Sequence, residues 1–298
     1  MDRKLKGVCF GEILFDVFIE RKKIGGAPLN VASRLSSLGG DITVISGVGN
    51  DADGKILMDY LKNQNINTEA IQVNNGYSTG LVNVILDEKG NASYDIHYPS
   101  AWDKIELSAK NISLVKNADF FVYGSLSTRD SVSENTLKQF LSVANYKVFD
   151  ANLRSPYYDI GKILDLAFEA DLLKLNDDEL DEIYFYLNAD KKSLEQKIEF
   201  IAQKTNAKTV CVTLGAHGAI LFFENKFYRN FGFKVNVMDT VGSGDSFLAA
   251  LIINLLGKNN PQYAIDFSCA VGSIVAQSEG ANPTITQLEI NELLSINP

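Results

Sequence analysis

The sequence predicts an α/β fold in which a mostly parallel β-sheet is covered by helices on both faces, with a small β appendage beside it. Two features carry that expectation. Apolar runs of strand length alternate with longer segments whose apolar residues recur every three or four positions, the pattern of strands joined by crossover helices. One stretch, Gly80 to Tyr98, breaks the alternation with two strand-like runs and no helix between them. At 298 residues and 46% hydrophobic composition the chain suits one large α/β domain or two of ordinary size, and with no linker-like stretch residues 1–298 read as a single domain with segments from about 15–23 and 77–103 inserted in it.

The expected strands of the main sheet are Gly7 to Ile13, Ile42 to Gly47, Phe120 to Tyr123, Lys147 to Asp150, Leu172 to Leu175 and Thr209 to Leu214, short runs rich in aliphatic and aromatic residues. Helical periodicity spans Leu29 to Leu38, Asp53 to Lys62, Ser131 to Ala144, Gly161 to Phe168 and Ser193 to Lys204. In the last third Ala219 to Phe223 and Phe227 to Asn230 read as strands, and three helices begin near Ser243, Pro261 and Thr286. Gly80 to Leu86 and Ala92 to Tyr98 read as a hairpin closed by the polar turn Asp87 to Asn91. With Phe15 to Arg21 they would make a small antiparallel sheet, a lid or the surface of a homodimer; an edge hairpin of the main sheet is the plainer alternative. Asn188 to Lys192 reads as a polar turn between two helices.

Charge narrows the function. Lys and Arg number 28 against 37 Asp and Glu, a formal charge of -9, and the most basic stretch is only Arg21, Lys22 and Lys23. Proteins that bind nucleic acid or anionic membranes concentrate positive charge, so neither is an expected partner. Cys9, Cys211 and Cys269 are odd in number and widely spaced, which points to buried free thiols in a reducing compartment. The start MDRKLKGVCFGE lacks a long apolar stretch followed by a small-residue cleavage site, so the expected location is the cytoplasm.

The strongest chemical signal is Asp239, Thr240, Val241, Gly242, Ser243, Gly244, Asp245, followed at once by the apolar helical run Ser246 to Leu256. Small residues let backbone approach a ligand, and the helix start offers unpaired N–H groups and the positive end of its dipole, together an anion hole. Asp245 is either an acidic residue complementing that dipole or a general base that takes a proton from a hydroxyl attacking phosphorus. Gly49 to Lys55 fits most of a P-loop, but Ile56 stands where Ser or Thr must ligate magnesium, and Asp51 and Asp53 would repel phosphate. The same acids oppose a dinucleotide fingerprint at Gly47, Gly49 and Ala52. His97 and His217 have no second ligand at zinc spacing. Trp102 reads as a core or interface aromatic, with a sugar-stacking platform as the sharper alternative.

The run DTVGSGD resembles the DTxGAGD signature of the ribokinase-like, or PfkB, carbohydrate kinases, with Ser243 in place of the commoner Ala. Further segments match in the family's order along nearly the whole chain. Gly11, Glu12 and Asp16 resemble GExxxD; Gly25, Gly26, Ala27, Pro28 and Asn30 resemble GGAPxN; and Gly47, Gly49, Asp51 and Gly54 resemble the next glycine-rich turn. Asp150, Asn152 and Arg154 follow as DxNxR, Asn176 and Glu179 as NxxE, Thr213, Gly215 and Gly218 as TxGxxG, and Gly280, Ala281 and Pro283 as GAxP. GGAPxN with DxNxR resembles the fructokinase branch, whereas Pro99 to Asp103 departs from the Arg-containing segment of many members.

The resemblance implies a three-layer α/β/α domain with a β lid and ATP-dependent phosphorylation of a sugar hydroxyl. It implies Asp245 as base and Gly242, Ser243 and Gly244 as anion hole. Asp16, Gly25, Gly26, Asn30 and Arg154 would bind the sugar, with the phosphates as the other partner open to Arg154, where the residues alone would suggest a turn Asp, a helix-start glycine, a helix-cap Asn and a surface Arg. Asn176, Thr213, Gly215, Gly218 and Asn282 would line the ATP site, and Glu179 would organise Mg2+, in part through water; a capping box is the plain reading of Asn176 and Glu179. Asp239 and Val241 would hold a monovalent cation such as potassium. Fructose is the expected acceptor. Another sugar or a sugar acid such as 2-keto-3-deoxygluconate is the alternative within the enzyme class, and a silent sugar- or nucleotide-binding regulator the alternative outside it.

Overall fold

The computed structural model describes residues 3–18, 21–86, 92–187 and 190–296. Strands β1 (Lys6–Phe10), β2 (Leu14–Val17) and β3 (Lys22–Gly25) precede helix α1 (Ala27–Ser37), and β4 (Asp41–Gly49), α2 (Ala52–Asn63), β5 (Ile71–Asn74), β6 (Gly80–Leu86) and β7 (Ala92–Ile96) follow. Next come α3 (Ala109–Asn117), β8 (Phe120–Gly124), α4 (Ser131–Leu141), β9 (Lys147–Asp150), α5 (Ile160–Phe168), β10 (Leu172–Asn176), α6 (Asp177–Leu187) and α7 (Leu194–Thr205). Then follow β11 (Thr209–Thr213), β12 (Ala219–Phe223), β13 (Lys226–Asn230), α8 (Ser243–Leu256), α9 (Pro261–Ala276) and α10 (Gln287–Ile296).

Nine strands form the main sheet in the order β13-β12-β11-β10-β9-β8-β1-β4-β5, parallel from β11 to β5 and antiparallel at β12 and β13. Strand alternation divides the core. Val8, Phe10, Phe121, Phe149 and Leu173 face one side with α4, α5 and α7, whereas Cys9, Val122, Val148 and Cys211 face the other with α1, α8 and α9. This is the expected three-layer α/β/α arrangement, and its thiols Cys9, Cys211 and Cys269 are free and buried as expected. Among the described residues no helix is long and apolar enough to cross a membrane.

Several expected boundaries move for local reasons. The first strand stops at Phe10 because Gly11 adopts φ 139°, outside the extended range of other residues. Helix α8 begins at Ser243 as expected, three residues before the apolar run Ser246 to Leu256, since Gly242 at φ 77° turns the chain directly into it. Asn30 lies inside α1 and is no cap; Gly26 occupies that position. Strand β5 and helix α3 are additions to the expected elements.

The appendage is a sheet of its own, ordered β3-β2-β6-β7, which excludes an edge hairpin of the main sheet. It is mixed rather than antiparallel: β2 and β6 run parallel because both leave the same end of the main sheet, after β1 and β5, while the other pairs are antiparallel. The Phe15 to Arg21 segment divides between the end of β2 and the approach to β3. Residues 19–20 of that segment, the turn at 87–91 and residues 188–189 of the later polar turn lie outside the described residues. Leu14, Val82, Ile96, Trp102 and Leu126 form a small core beneath this lid. Trp102 is fully buried there with the Arg129 guanidinium 4.1 Å above its ring, so it is a core aromatic and not a sugar platform.

Candidate active site

The C-terminal ends of the parallel strands, where crevices of open α/β sheets form, carry the residues singled out by the motifs. Helix α8 starts above them. Its N-cap, Gly242, must be glycine: φ is 77° and an added Cβ would lie 2.5 Å from Ala281 Cα. Ser243 turns its hydroxyl away, donating to Gly272 O at 2.9 Å, and its N–H donates to Thr240 O. The N–H groups of Gly244 and Asp245 have no acceptor among the described residues, so the first turn presents two free donors at the positive end of the helix.

Asp245 is tied into α1 and the loop after α9. Asn30 Nδ2 donates to Asp245 Oδ2 at 2.8 Å, and Asn282 Nδ2 donates to Asn30 Oδ1 at 2.8 Å. One turn further along α1, the buried Arg34 repeats the connection, its Nε donating to Ser246 Oγ at 3.1 Å and its Nη2 to Pro283 O at 2.9 Å. Burial and the nearby Asp150 carboxylate push the Asp245 carboxyl up to about 6, against the Asn30 hydrogen bond and the cations Lys174 and Arg154. That places a half-buried carboxylate in the range useful for taking a proton near neutrality.

Strands β9 and β10 supply the floor. Lys174 pairs in register with Asp150, and its Nζ donates to Asp150 Oδ1 at 2.9 Å. Asn176 and Glu179 close the capping box suggested by their spacing: Glu179 N donates to Asn176 Oδ1 and Asn176 N to Glu179 Oε2, both at 2.8 Å. Glu179 does more than cap, because its Oε1 accepts from Leu153 N at 2.8 Å and so holds the loop that carries Arg154. Burial raises its carboxyl, with Asp150 adding and Lys174 and the two backbone donors opposing. Thr213 is the register partner of Asn176 on β11. Gly215 and Gly218, at φ 55° and 82°, turn the chain after it, and Asn230 O would lie 2.1 Å from a Cβ on Gly218.

The lid supplies the opposite wall. Asp16 on β2 rests against Gly25, whose Cβ, if present, would lie 2.4 Å from Asp16 Oδ2. Burial pushes Asp16 up to about 6, Arg154 and Lys23 oppose, and Asp245 and Asp239 add. Gly26, at φ 106°, has room for no side chain, since Glu12 O would be 2.5 Å from its Cβ. Arg154 faces Glu12, Asp16 and Asp245 and stands 5.8 Å from the Tyr94 ring of β7. Asp239 is engaged elsewhere: Val241 N and Gly280 N donate to it at 3.1 and 3.2 Å, and Lys23 Nζ lies 3.2 Å away. A cation at Asp239 and Val241 would therefore meet the Lys23 ammonium.

The fold thus gathers Asp16, Gly25, Gly26, Asn30, Arg154, Asn282 and the first turn of α8 around one space, with Asn176 and Glu179 at its floor. Thr213, Gly215 and Gly218 follow along the strand ends, and Asp239 with Val241 lies toward β3. Asn30, both of whose polar atoms are bonded to Asp245 and Asn282, orients the carboxylate rather than standing free. Three residues escaped sequence reasoning as site members. Glu12, 4% exposed with Oε2 unpartnered and its carboxyl pushed up to about 7 by burial, and Asp150 were visible only as motif letters. Lys174 had a signal of its own, a lone cation inside the apolar run Leu172 to Leu175.

A family model described as pfkB family carbohydrate kinase matches residues 5–288. Fructokinase-2 of Oryza sativa subsp. japonica is 29% identical over 318 residues, covering 97% of this chain and 93% of that protein. Among solved structures, fructokinase from Xylella fastidiosa with bound ATP superposes with TM-score 0.84 at 23% identity, covering 98% of each chain. Fructokinase from Vibrio cholerae O395, bound to fructose, ADP and calcium ion, gives TM-score 0.84 at 22% identity over 98% of this chain and 100% of that one.

Proposed function

The chain belongs to the pfkB family of carbohydrate kinases, and on that premise we propose that it transfers the γ-phosphoryl group of ATP to fructose, forming fructose 6-phosphate. The observation that carries the chemistry is the half-buried Asp245 carboxylate, held by Asn30 beside the free N–H groups of Gly244 and Asp245. Fructose as acceptor is supported by the names of the relatives in sequence and fold.

The sugar enters beneath the lid, where Asp16, the Gly25–Gly26 backbone and Arg154 offer acceptors and donors to its hydroxyls. Asp245 takes the proton of the attacking hydroxyl. That oxygen bonds to the γ-phosphorus as the bond from phosphorus to the ADP oxygen breaks, and the first turn of α8 faces the charge on the phosphoryl oxygens. Asn176, Thr213, Gly215, Gly218 and Asn282 line the ATP side. Glu179 fits a magnesium ion that keeps its water shell, since each carboxylate oxygen is bonded to one backbone N–H and keeps a lone pair for a metal-bound water. Magnesium bound there would neutralise phosphate charge.

Coupled ADP release over a panel of fructose, other hexoses, pentoses, nucleosides and 2-keto-3-deoxygluconate tests the reading. Fructose should give the highest kcat/KM. A higher value for another acceptor would replace fructose, and ligand-induced melting shifts without turnover on any acceptor would make the protein a binding protein.

A further inference from the structure

Asp239 opens the loop that leads into α8, and its carboxylate joins that loop to the one after α9. Oδ1 accepts from Val241 N at 3.1 Å and Oδ2 from Gly280 N at 3.2 Å. The next residue, Thr240, accepts from Ser243 N at the start of the helix, and Gly242 packs on Ala281 too closely to admit a Cβ. The shape of the anion hole therefore depends on what holds this carboxylate. What holds it is a cation from the lid. Lys23 Nζ, on the edge strand β3, lies 3.2 Å from Asp239 Oδ2 and 3.4 Å from Glu279 Oε1, and the Lys23 and Asp239 side chains are each only 22% exposed. Arg21 also pairs with Glu279, so two cations answer two carboxylates and the local charge is balanced. Among the described residues every partner of the Asp239 carboxylate is an N–H donor. A metal ion needs oxygen lone pairs, and here it would find them turned to donors, with a unit positive charge alongside. These residues do not fit the potassium ion that the motif resemblance implies at Asp239 and Val241.

We propose that Lys23 is a positioning residue that serves as the protein's own monovalent cation: its ammonium sets Asp239, and through it the loop entering α8, so that phosphoryl transfer proceeds without potassium. The inference rests on the kinase reading above. Lys23 is also the register partner of Asp16. The strand pair that carries Asp16 toward the sugar thus also reaches the loop that shapes the anion hole.

Exchanging potassium for tetramethylammonium, an ion too large for such a site, at constant ionic strength tests this and keeps screening equal. The parent's kcat at saturating fructose and MgATP should agree between the two salts within about 2-fold, and its ligand-free melting temperature should not move, because an ion that does not bind the native state cannot stabilise it. Lys23→Ala removes the ammonium and leaves room for an ion. In tetramethylammonium its kcat should fall ~10-fold or more, the scale of a displaced site, and potassium should restore it to within about 3-fold of the parent. Potassium should also raise the melting temperature of this variant. Potassium activation or stabilisation of the parent would overturn the proposal. So would a Lys23→Ala enzyme as active as the parent in tetramethylammonium, or a loss that potassium does not repair, which would make Lys23 a fixture of the lid rather than a cation. If Lys23→Ala does not fold, crystals of the unaltered protein soaked in thallium acetate decide: an anomalous peak within bonding distance of Asp239 overturns the role, and Lys23 Nζ on Asp239 without such a peak supports it. The ligand-free melting comparison needs no turnover, so a parent inactive on every acceptor would end the kinase reading and leave the cation test readable.

Discussion

At the first turn of α8, Asp245 is fixed by a relay of 2.8 Å bonds through Asn30 to Asn282, whereas at the lid Asp16 faces Arg154 across the site through charge alone. In the first region the base is fixed by the protein's own hydrogen bonds; the second is held open by glycines at Gly25 and Gly26 and by a loop pinned from below by Glu179. The contrast follows from the chemistry. Phosphoryl transfer asks for the same base and the same anion hole whatever the acceptor, so the base can be bonded to the protein in advance while the fold fixes the free N–H donors of the hole in place. Acceptor selection asks for polar groups whose missing partners are the hydroxyls of the sugar, and such groups are left unpaired until it binds.

The comparison breaks most sharply at Asp245. Asp245→Asn keeps the shape of the side chain but removes the proton acceptor, so kcat should fall on the order of 10²- to 10⁴-fold, the ordinary worth of general-base catalysis. Calorimetric binding of fructose and nucleotide should survive, because the lost contribution belongs to the transition state. Turnover near that of the parent would remove Asp245 from the chemistry, and loss of all binding would return it to a structural role.

The lid predicts a different signature. Asp16→Ala removes one acceptor for a sugar hydroxyl and should raise the fructose KM by ~10- to 100-fold while the ATP KM changes little. Steady-state kinetics with each substrate varied in turn checks this. Equal losses for both substrates would mean that Asp16 shapes the lid as a whole rather than one contact within it.

The same division explains what could be read from the residues alone. The alternation of apolar runs and helical periods sets the order of the main layers, because strands buried on both faces have no polar side to obscure them. The phosphoryl end was legible because it is local: Gly242, Gly244 and Asp245 sit within one turn, and Gly242 at φ 77° takes a backbone conformation that favours glycine. The lid was legible as a break in rhythm, but not in its pairing, since the parallel register of β2 with β6 joins segments far apart in sequence. Long-range partners also hid Lys174, which looks like a misplaced charge until Asp150 on the neighbouring strand and Gly244 on α8 are brought against it. Arg34 was hidden for the same reason: a lysine or arginine on a helix reads as solvent-facing, and only the fold shows it bonded to Ser246 and Pro283.

The smallest expected effect lies at the joint between the two regions. Asn30 donates to the Asp245 carboxylate, and a hydrogen bond to the charged form of a group favours that form, so this bond holds the Asp245 pKa below where burial alone would put it. Asn30→Ala removes the donor; the pKa should then rise from about 6, by about 0.4 to 1.1 units, since one such bond is worth roughly 0.5–1.5 kcal/mol and one unit is 1.36 kcal/mol. Only the unprotonated carboxylate can act as base, so the acid limb of the rate profile should move to higher pH. The loss should be several-fold near pH 6 and should shrink toward pH 8, where both proteins hold Asp245 ionised. The profile is best followed in kcat at saturating fructose, because Asp16 and Glu12, raised to about 6 and about 7, titrate in the same window and would enter kcat/KM through the free enzyme. A loss that is uniform across pH would mean that Asn30 acts only by position, and a limb displaced to lower pH would contradict the hydrogen bond's role altogether.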